Sequence, residues 1–258
     1  MILTTEKLTV RFGGLLAVNH VDVQIAKGES VGLIGPNGSG KTTFFNLITG
    51  IYKPSHGNVV FNGHPIMGLH SHEITRRGIA RTFQNSRLFL DLSVLDNILI
   101  GMHSRQKTNW WRAVLQPGQS RRELLKGIEK TRDLFDFFHE KRLLENLRRK
   151  ARELPQADKR RLEICRALAS DPFLLLLDEP SAGMNPNETT ELMEDIKRIR
   201  EQKKEITIVV VEHDMKVIRG LTERVIVFNY GSKIAEGPYE QISKNQDVIS
   251  AYLGEEVR

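Results

Sequence analysis

Val31-Gly32-Leu33-Ile34-Gly35-Pro36-Asn37-Gly38-Ser39-Gly40-Lys41-Thr42-Thr43-Phe44-Phe45-Asn46-Leu47-Ile48 decides the fold. An apolar strand runs into a glycine-rich turn, and the turn runs into an apolar helix. Gly35 to Thr42 satisfies G-x-x-x-x-G-K-[ST] in full. The glycines let main-chain N–H groups converge on one concavity, where a polyphosphate fits without side-chain clash. The helix N-terminus adds positive potential at the same point. Lys41 supplies a cation for the outer phosphates, and Thr42 a hydroxyl for Mg²⁺.

Downstream, Leu174-Leu175-Leu176-Leu177-Asp178-Glu179 is an apolar strand tipped by two acids. Such acids are costly at the end of a buried strand unless they have a task there. Asp178 is expected to hold Mg²⁺, and Glu179 to orient or deprotonate an attacking water. Gln84, after Ile79-Ala80-Arg81-Thr82-Phe83, and His213, after Ile206 to Val211, also follow strand-like runs. In an open parallel sheet, ligands bind outside the carboxyl ends of the strands, so these residues group into one γ-phosphate site. Thr42, Gln84 and Asp178 form its expected Mg²⁺ set.

Around this centre the pattern is α/β. Short strands are read at Leu8 to Val10, Val21 to Ile25 and Val31 to Ile34. Asn58 to Phe61 enters a hairpin turn at Asn62-Gly63. Residues 93–168 read as helices, with Leu124, Leu125, Ile128, Leu134, Phe135 and Phe138 at helical spacing. Strands and helices then alternate again: Leu174 to Leu177, a helix over 188–203, Ile206 to Val211, and Val225 to Phe228. Apolar runs separated by helices indicate a parallel sheet covered on both faces. The helical middle reads as an insertion.

Composition narrows the class. The 258 residues carry 38 Lys+Arg and 32 Asp+Glu, a net charge of +6; 40% are hydrophobic and 27% charged. Wholesale disorder is excluded. One cysteine, Cys165, excludes a disulfide framework and points to a reducing cytoplasm. No apolar stretch reaches the ~20 residues of a membrane span, and the N-terminus lacks the pattern of a signal peptide. The basic excess lies between Arg105 and Arg166. It marks a solvated helical face or a surface toward anionic lipid or an acidic partner.

These motifs, in this order, make the chain resemble the nucleotide-binding subunits of ATP-binding cassette (ABC) transporters. The matching pieces are the phosphate loop, Gln84 (the Q-loop), Leu177-Asp178-Glu179-Pro180, the turn Ser181-Ala182-Gly183-Met184-Asn185, and His213 as the switch histidine. Phe12-Gly13-Gly14-Leu15-Leu16-Ala17-Val18, Arg81-Thr82-Phe83-Gln84-Asn85, Arg87-Leu88-Phe89, Gly183-Met184-Asn185-Pro186 and the tail Ala251-Tyr252-Leu253-Gly254-Glu255 are most similar to ATPases of branched-chain amino acid uptake systems.

The resemblance implies a P-loop NTPase cassette with a RecA-like parallel-sheet core, an antiparallel β subdomain and an inserted α-helical subdomain. On this view residues 1–258 form one nucleotide-binding domain: 1–86 and 162–258 are the core, and 87–161 the helical subdomain. It implies ATP and Mg²⁺ as ligands, with Glu179, His213 and Gln84 catalytic. Phe12 takes the place of the aromatic that stacks on adenine, and Val18 joins it and residues 35–43 in the ATP-binding set. It further implies a permease docked in the groove near Gln84 to Leu95, a second cassette met across the Ser181 to Asn185 turn, and an external binding protein acting through the permease. The location implied is the cytoplasmic face of the inner membrane, peripherally bound. Trp110-Trp111 beside Arg112 is a candidate contact for lipid or permease.

One motif departs from the family. Where Leu-Ser-Gly-Gly-Gln is expected before a helix at Arg160 to Ala169, the chain reads Leu154-Pro155-Gln156-Ala157-Asp158. Pro155 has neither hydroxyl nor N–H, Ala157 keeps its N–H, and Asp158 places a like charge toward the partner's γ-phosphate. A different partner cassette with a full signature is therefore favoured over a homodimer. Three alternatives are a lipopolysaccharide-export ATPase, a soluble ABC ATPase acting on nucleic acid, and a non-hydrolysing binder. Intact Glu179 and His213 oppose the last. The absence of long coiled coils or tandem cassettes opposes the second, and no nucleic acid partner is expected.

Overall fold

The computed structural model describes residues 1–84, 86–103, 117–137 and 141–253. Asn85, Arg105, the Trp110-Trp111 segment, Phe138 and Gly254-Glu255 lie outside the described residues.

Two sheets carry the molecule. The smaller has the order β2-β1-β4-β5, from β1 (Leu3–Phe12), β2 (Leu15–Ile25), β4 (His56–Phe61) and β5 (His64–Pro65), all antiparallel. The sequence reading divided β1 and β2 into short runs, whereas they form one long hairpin. The β4–β5 turn is as read: Asn62 and Gly63 both take positive φ, 48° and 76°, as a type I′ turn requires.

The larger sheet has the order β10-β9-β3-β8-β7-β6. β3 (Ser30–Ile34), β6 (Ile79–Arg81), β7 (Leu174–Asp178), β8 (Thr207–Val211) and β9 (Arg224–Asn229) are parallel, and β10 (Ser232–Gly237) returns antiparallel along β9. Every residue of β3, β7 and β8 is buried, which is why these strands read as unbroken apolar runs. β6 is shorter than its sequence suggests. Thr82 N–H still donates to Leu176 O at 2.9 Å, and past it the main chain turns to side-chain partners: Phe83 N–H donates to Glu163 Oε1 at 3.2 Å, and Arg160 donates to Phe83 O at 2.8 Å and Gln84 O at 3.0 Å.

Helix α1 (Lys41–Ile48) leaves the phosphate loop and buries Phe44, Phe45, Leu47 and Ile48. α2 (Ser71–Arg77) precedes β6. The helical part comprises α3 (Val94–Met102), α4 (Pro117–Phe137), α5 (Lys141–Glu145) and α6 (Gln156–Leu168). In α4, Leu134 and Phe135 are buried as their spacing predicts, but Leu124 and Leu125 are exposed. The helix meets α3 at Gly127, where a Cβ would stand 2.5 Å from Leu99, and the turn before it lies outside that contact. α6 begins four residues before Arg160, so a boundary at 161 falls within it. α7 (Pro186–Gln202), α8 (Met215–Leu221), α9 (Tyr239–Ile242) and α10 (Gln246–Leu253) complete the chain.

Candidate nucleotide site

The phosphate loop is shaped by close backbone approaches. Gly35 has φ 148°, and a Cβ on it would lie 2.1 Å from Phe228 O. Gly40, at φ 104°, would place one 2.5 Å from Ala17 O. Gly231 N–H donates to Ser39 O at 3.0 Å, and Asn19 N–H to Gly231 O at 2.8 Å. The β1–β2 hairpin, the loop and the β9–β10 turn thus lock together, and any side chain at Gly35 or Gly40 would force them apart. Inside the curve, Lys41 Nζ donates to Gly35 O at 2.6 Å and Pro36 O at 2.9 Å. Burial lowers the Lys41 pKa, while Glu179 and Asp178 pull the other way.

A cavity of about 450 Å³ opens over this loop. Residues 37–43, including Lys41, Thr42 and Thr43, line it together with Gln84, Glu179 and His213. The structure therefore unites the groups that sequence spacing placed at separate strand ends. Gly35 and Pro36 lie behind the lining and act through their carbonyls on Lys41. Glu179 has φ 48° and its N–H donates to Val211 O at 2.9 Å, which ties the tip of β7 to the end of β8. Gln84 Nε2 donates to Glu179 Oε2 at 2.8 Å, and His213 Nε2 lies 3.0 Å from Glu179 Oε1.

Behind this trio, buried Glu212 accepts Ser181 N–H at 2.8 Å, Ser181 Oγ–H at 2.6 Å and His213 N–H at 3.1 Å. It joins the Ser181 to Asn185 turn to the histidine. That turn is further fixed by Ala182 N–H on Glu179 O and Met184 N–H on Ser181 O, with Gly183 at φ 78°. Asn185 caps α7, its side chain accepting from Asn187 and Glu188 N–H at 3.0 Å each.

The residues present fit Mg²⁺. Asp178 gives one oxygen to Arg81, and its buried Oδ1 has no hydrogen-bond partner among the described residues. Thr42 lines the cavity one residue into α1, and Gln84 lines it from the facing segment. A hard cation takes such oxygens readily and obtains the rest of its shell from phosphate and water. Among the described residues no cluster of three or more His, Cys, Asp or Glu forms an all-protein metal cage.

Two expectations change. Phe12 is 43% exposed at the hairpin tip, stands edge-on to Tyr52 with centroids 5.1 Å apart, and does not line the cavity. Val18 is fully buried in the core. The wall on that side comes instead from Leu15, Leu16, Ala17 and Tyr230, which is 79% exposed. The twofold pleat explains the change at Val18, whose side chain points to the packed face of β2. Tyr230 escaped the sequence reading, because a Tyr-Gly turn after a strand carries no distinctive pattern.

The second correction is Asp158. It is buried, 3.7 Å from Arg161 one helical turn on, so its charge turns inward rather than toward a facing γ-phosphate. Arg161 also binds Glu191 at 2.7 Å and Asp195 at 3.2 Å. Of the remaining pentapeptide, Leu154 and Ala157 are buried, Pro155 is the N-cap of α6, and Gln156 is exposed in its first turn.

Comparison with known proteins agrees with this geometry. Residues 18–182 match the family model described as ABC transporter, and residues 232–258 match the model described as branched-chain amino acid ATP-binding cassette transporter. The chain is 43% identical over 254 residues to the high-affinity branched-chain amino acid transport ATP-binding protein LivG of Escherichia coli, covering 98% of both chains. It is 31% identical to the lipopolysaccharide export system ATP-binding protein LptB of Haemophilus influenzae, covering 100% of this chain and 99% of that one. Among solved structures, a nucleotide-free ATP-binding cassette from an ABC transporter superposes with a TM-score of 0.82 at 30% identity, covering 98% of this chain and 99% of that one. With the phosphate loop, Gln84, Glu179 and His213 lining one cavity, this chain belongs to the ABC transporter family and is one of its ATP-binding cassette ATPases.

Proposed function

We propose that this cassette hydrolyses ATP to drive import of branched-chain amino acids, bound peripherally at the cytoplasmic face of the inner membrane. The observation that carries hydrolysis is Glu179, held between Gln84 and His213 at the mouth of the phosphate loop. The import reading rests on the LivG likeness over nearly the whole chain and on the C-terminal family model. The higher identity, 43% against 31%, favours it over lipopolysaccharide export. Among the described residues no helix is long and apolar enough to cross a membrane.

In the mechanism, main-chain N–H groups of residues 37–42 and the α1 N-terminus receive the phosphates, and Lys41 leaves the loop carbonyls for the β- and γ-oxygens. Thr42, Asp178 and Gln84 would hold Mg²⁺, which would supply positive charge against the phosphate oxygens. Glu179 Oε orients a water for in-line attack and takes its proton as the new bond to the γ-phosphorus forms and the bond to the β–γ bridging oxygen breaks, leaving ADP and phosphate. His213 moves from Glu179 to the γ-phosphate and holds the charge that develops there.

The Ser181 to Asn185 turn meets a second, different cassette, and Leu154 to Asp158 covers that partner's nucleotide. Lacking the serine hydroxyl, this cover forgoes a charge-assisted bond of about 1.5–3 kcal/mol. The site built on this chain's own Lys41 therefore turns over faster than its counterpart. The permease docks where Phe89, Leu90 and Leu92 are exposed beside Gln84, and an external binding protein acts through it.

The test is complementation: a strain lacking its branched-chain amino acid ATPase receives this gene with its neighbouring cassette and permease genes. Uptake of labelled leucine is expected, and its loss on Glu179→Gln. No leucine uptake here, together with rescue of a second strain depleted of its lipopolysaccharide-export ATPase, would replace this assignment with the other.

A further inference from the structure

Arg81 ends β6 inside the protein. Its side chain is 4% exposed, and that of Asp178, its partner, 1%. Nη2 donates to Asp178 Oδ2 at 2.7 Å, and Nη1 to Asn46 Oδ1 at 2.7 Å. The guanidinium lies against the rings of Phe45 and Phe83, 5.3 and 4.9 Å from their centroids.

Each contact reaches one of the segments that carry the residues assigned above to Mg²⁺. Asn46 stands one helical turn beyond Thr42 on α1, so the two share a face. Asp178 ends β7. Gln84 follows Arg81 by three residues. Arg81 thus touches α1, the β7 tip and, through Phe83, the Gln84 segment together.

The pairing is not built for stability. Arginine–carboxylate pairs frequently engage both oxygens, fork to fork. Here one oxygen is taken and Oδ1 is left bare, and Arg81 Nε also has no partner. Two buried unpaired polar atoms in one ion pair are a cost that calls for an explanation.

We propose that Arg81 is a positioning residue for the divalent cation: it anchors Asp178 by Oδ2, so that Oδ1 faces the ion, and ties that geometry to the helix bearing Thr42. This rests on the ATP-hydrolysis reading. The opposing effect is repulsion between guanidinium and cation. Asp178 on one side and the Phe45 and Phe83 faces on the other blunt that charge, so orientation dominates.

The test uses the full-length chain with ADP saturating and Mn²⁺ as the probe, titrated by electron paramagnetic resonance. Fluorescent ATP binding in EDTA is measured alongside. Arg81→Met is expected to raise the Mn²⁺ half-saturation by about 10-fold, as loss of a residue behind a metal ligand does. Arg81→Lys keeps the charge and shows a smaller rise. Asn46→Ala, which leaves the Arg81–Asp178 pair intact and so strands no buried charge, also raises it. Nucleotide affinity in EDTA stays at the wild-type value in all three.

Unchanged or tighter Mn²⁺ binding in folded Arg81→Lys and Asn46→Ala overturns the proposal and leaves Arg81 a structural residue. If wild-type protein binds no nucleotide, with or without EDTA, the reading of the site itself falls and the Arg81 proposal with it, an outcome distinct from unchanged variants of a nucleotide-binding wild type.

Discussion

His213 Nε2 faces Glu179 Oε1 at 3.0 Å, while Gln84 Nε2 takes the other oxygen of the same carboxylate at 2.8 Å. Glu179 is thereby aimed from both sides, and its ionised form is the better acceptor. Glu179→Gln keeps the shape and loses the base. It is expected to retain Mg-ATP binding and lose about 10²–10⁴-fold in kcat. His213→Ala should lower kcat with little change in ATP affinity. Phosphate release and fluorescent-nucleotide binding measure the two terms separately. Hydrolysis within a few-fold of wild type in Glu179→Gln would remove this carboxylate from the chemistry.

Pro155 caps α6 without a hydroxyl to offer. Pro155→Ser restores the missing donor at the position covering the partner's nucleotide. In a complex with a partner cassette, total ATPase should rise, by up to about 10-fold at the limiting site. The rise should vanish when the partner's own phosphate-loop lysine is replaced. A Pro155→Ser complex no faster than wild type would mean that the altered signature imposes no loss.

Arg160 and Glu163 form a buried pair, 3.0 Å apart, that grips the main chain of Phe83 and Gln84. Arg160→Met strands the Glu163 carboxylate and should destabilise the protein by about 3–5 kcal/mol. The double variant Arg160→Met with Glu163→Leu should recover a large part of this in urea unfolding, because it strands no charge. Additive losses would indicate that the two side chains act independently.

The legible part of this molecule was where chemistry forces a residue type. Lys41, Asp178, Glu179, Gln84 and His213 stand at strand ends because ligands bind there, and spacing exposes that arrangement. The long apolar strands were equally plain, since burial on both faces removes polar alternation. What escaped depends on pairing between distant segments. Arg81 ends a buried strand, a signal in itself, but nothing local names Asp178 as its partner. Asp158 reads as a surface acid at a helix start until Arg161 is seen beside it in the packed structure. Phe12 reads as a base-stacking aromatic, yet the hairpin leaves it on Tyr52.

Phe12 and Tyr230 make opposite demands on that last point. Tyr230 lines the cavity and Phe12 does not. An aromatic face against a base contributes about 0.5–1.5 kcal/mol beyond burial. Tyr230→Ala is therefore expected to weaken fluorescent ATP binding by a few-fold, and Phe12→Ala by less. A larger effect at Phe12 would mean that the hairpin tip swings onto the base when nucleotide binds.

Stability should also fall with acid in a way that reports on Glu29. Burial alone raises its pKa, but Arg224 reaches both carboxylate oxygens, at 2.7 and 3.0 Å, and Ala26 N–H donates at 2.8 Å. The net result lies below the ordinary value of 4.5. A carboxylate whose folded pKa is depressed binds fewer protons in the native state than in the unfolded one. Its contribution is full above the unfolded value and disappears as pH falls through the folded value. Melting temperatures of wild type and Glu29→Gln should therefore differ most near pH 7 and converge below the usual carboxylate range. Other carboxylates titrate in both proteins and cancel in the difference. Parallel curves across that range would show that Arg224 holds Glu29 no better than solvent does.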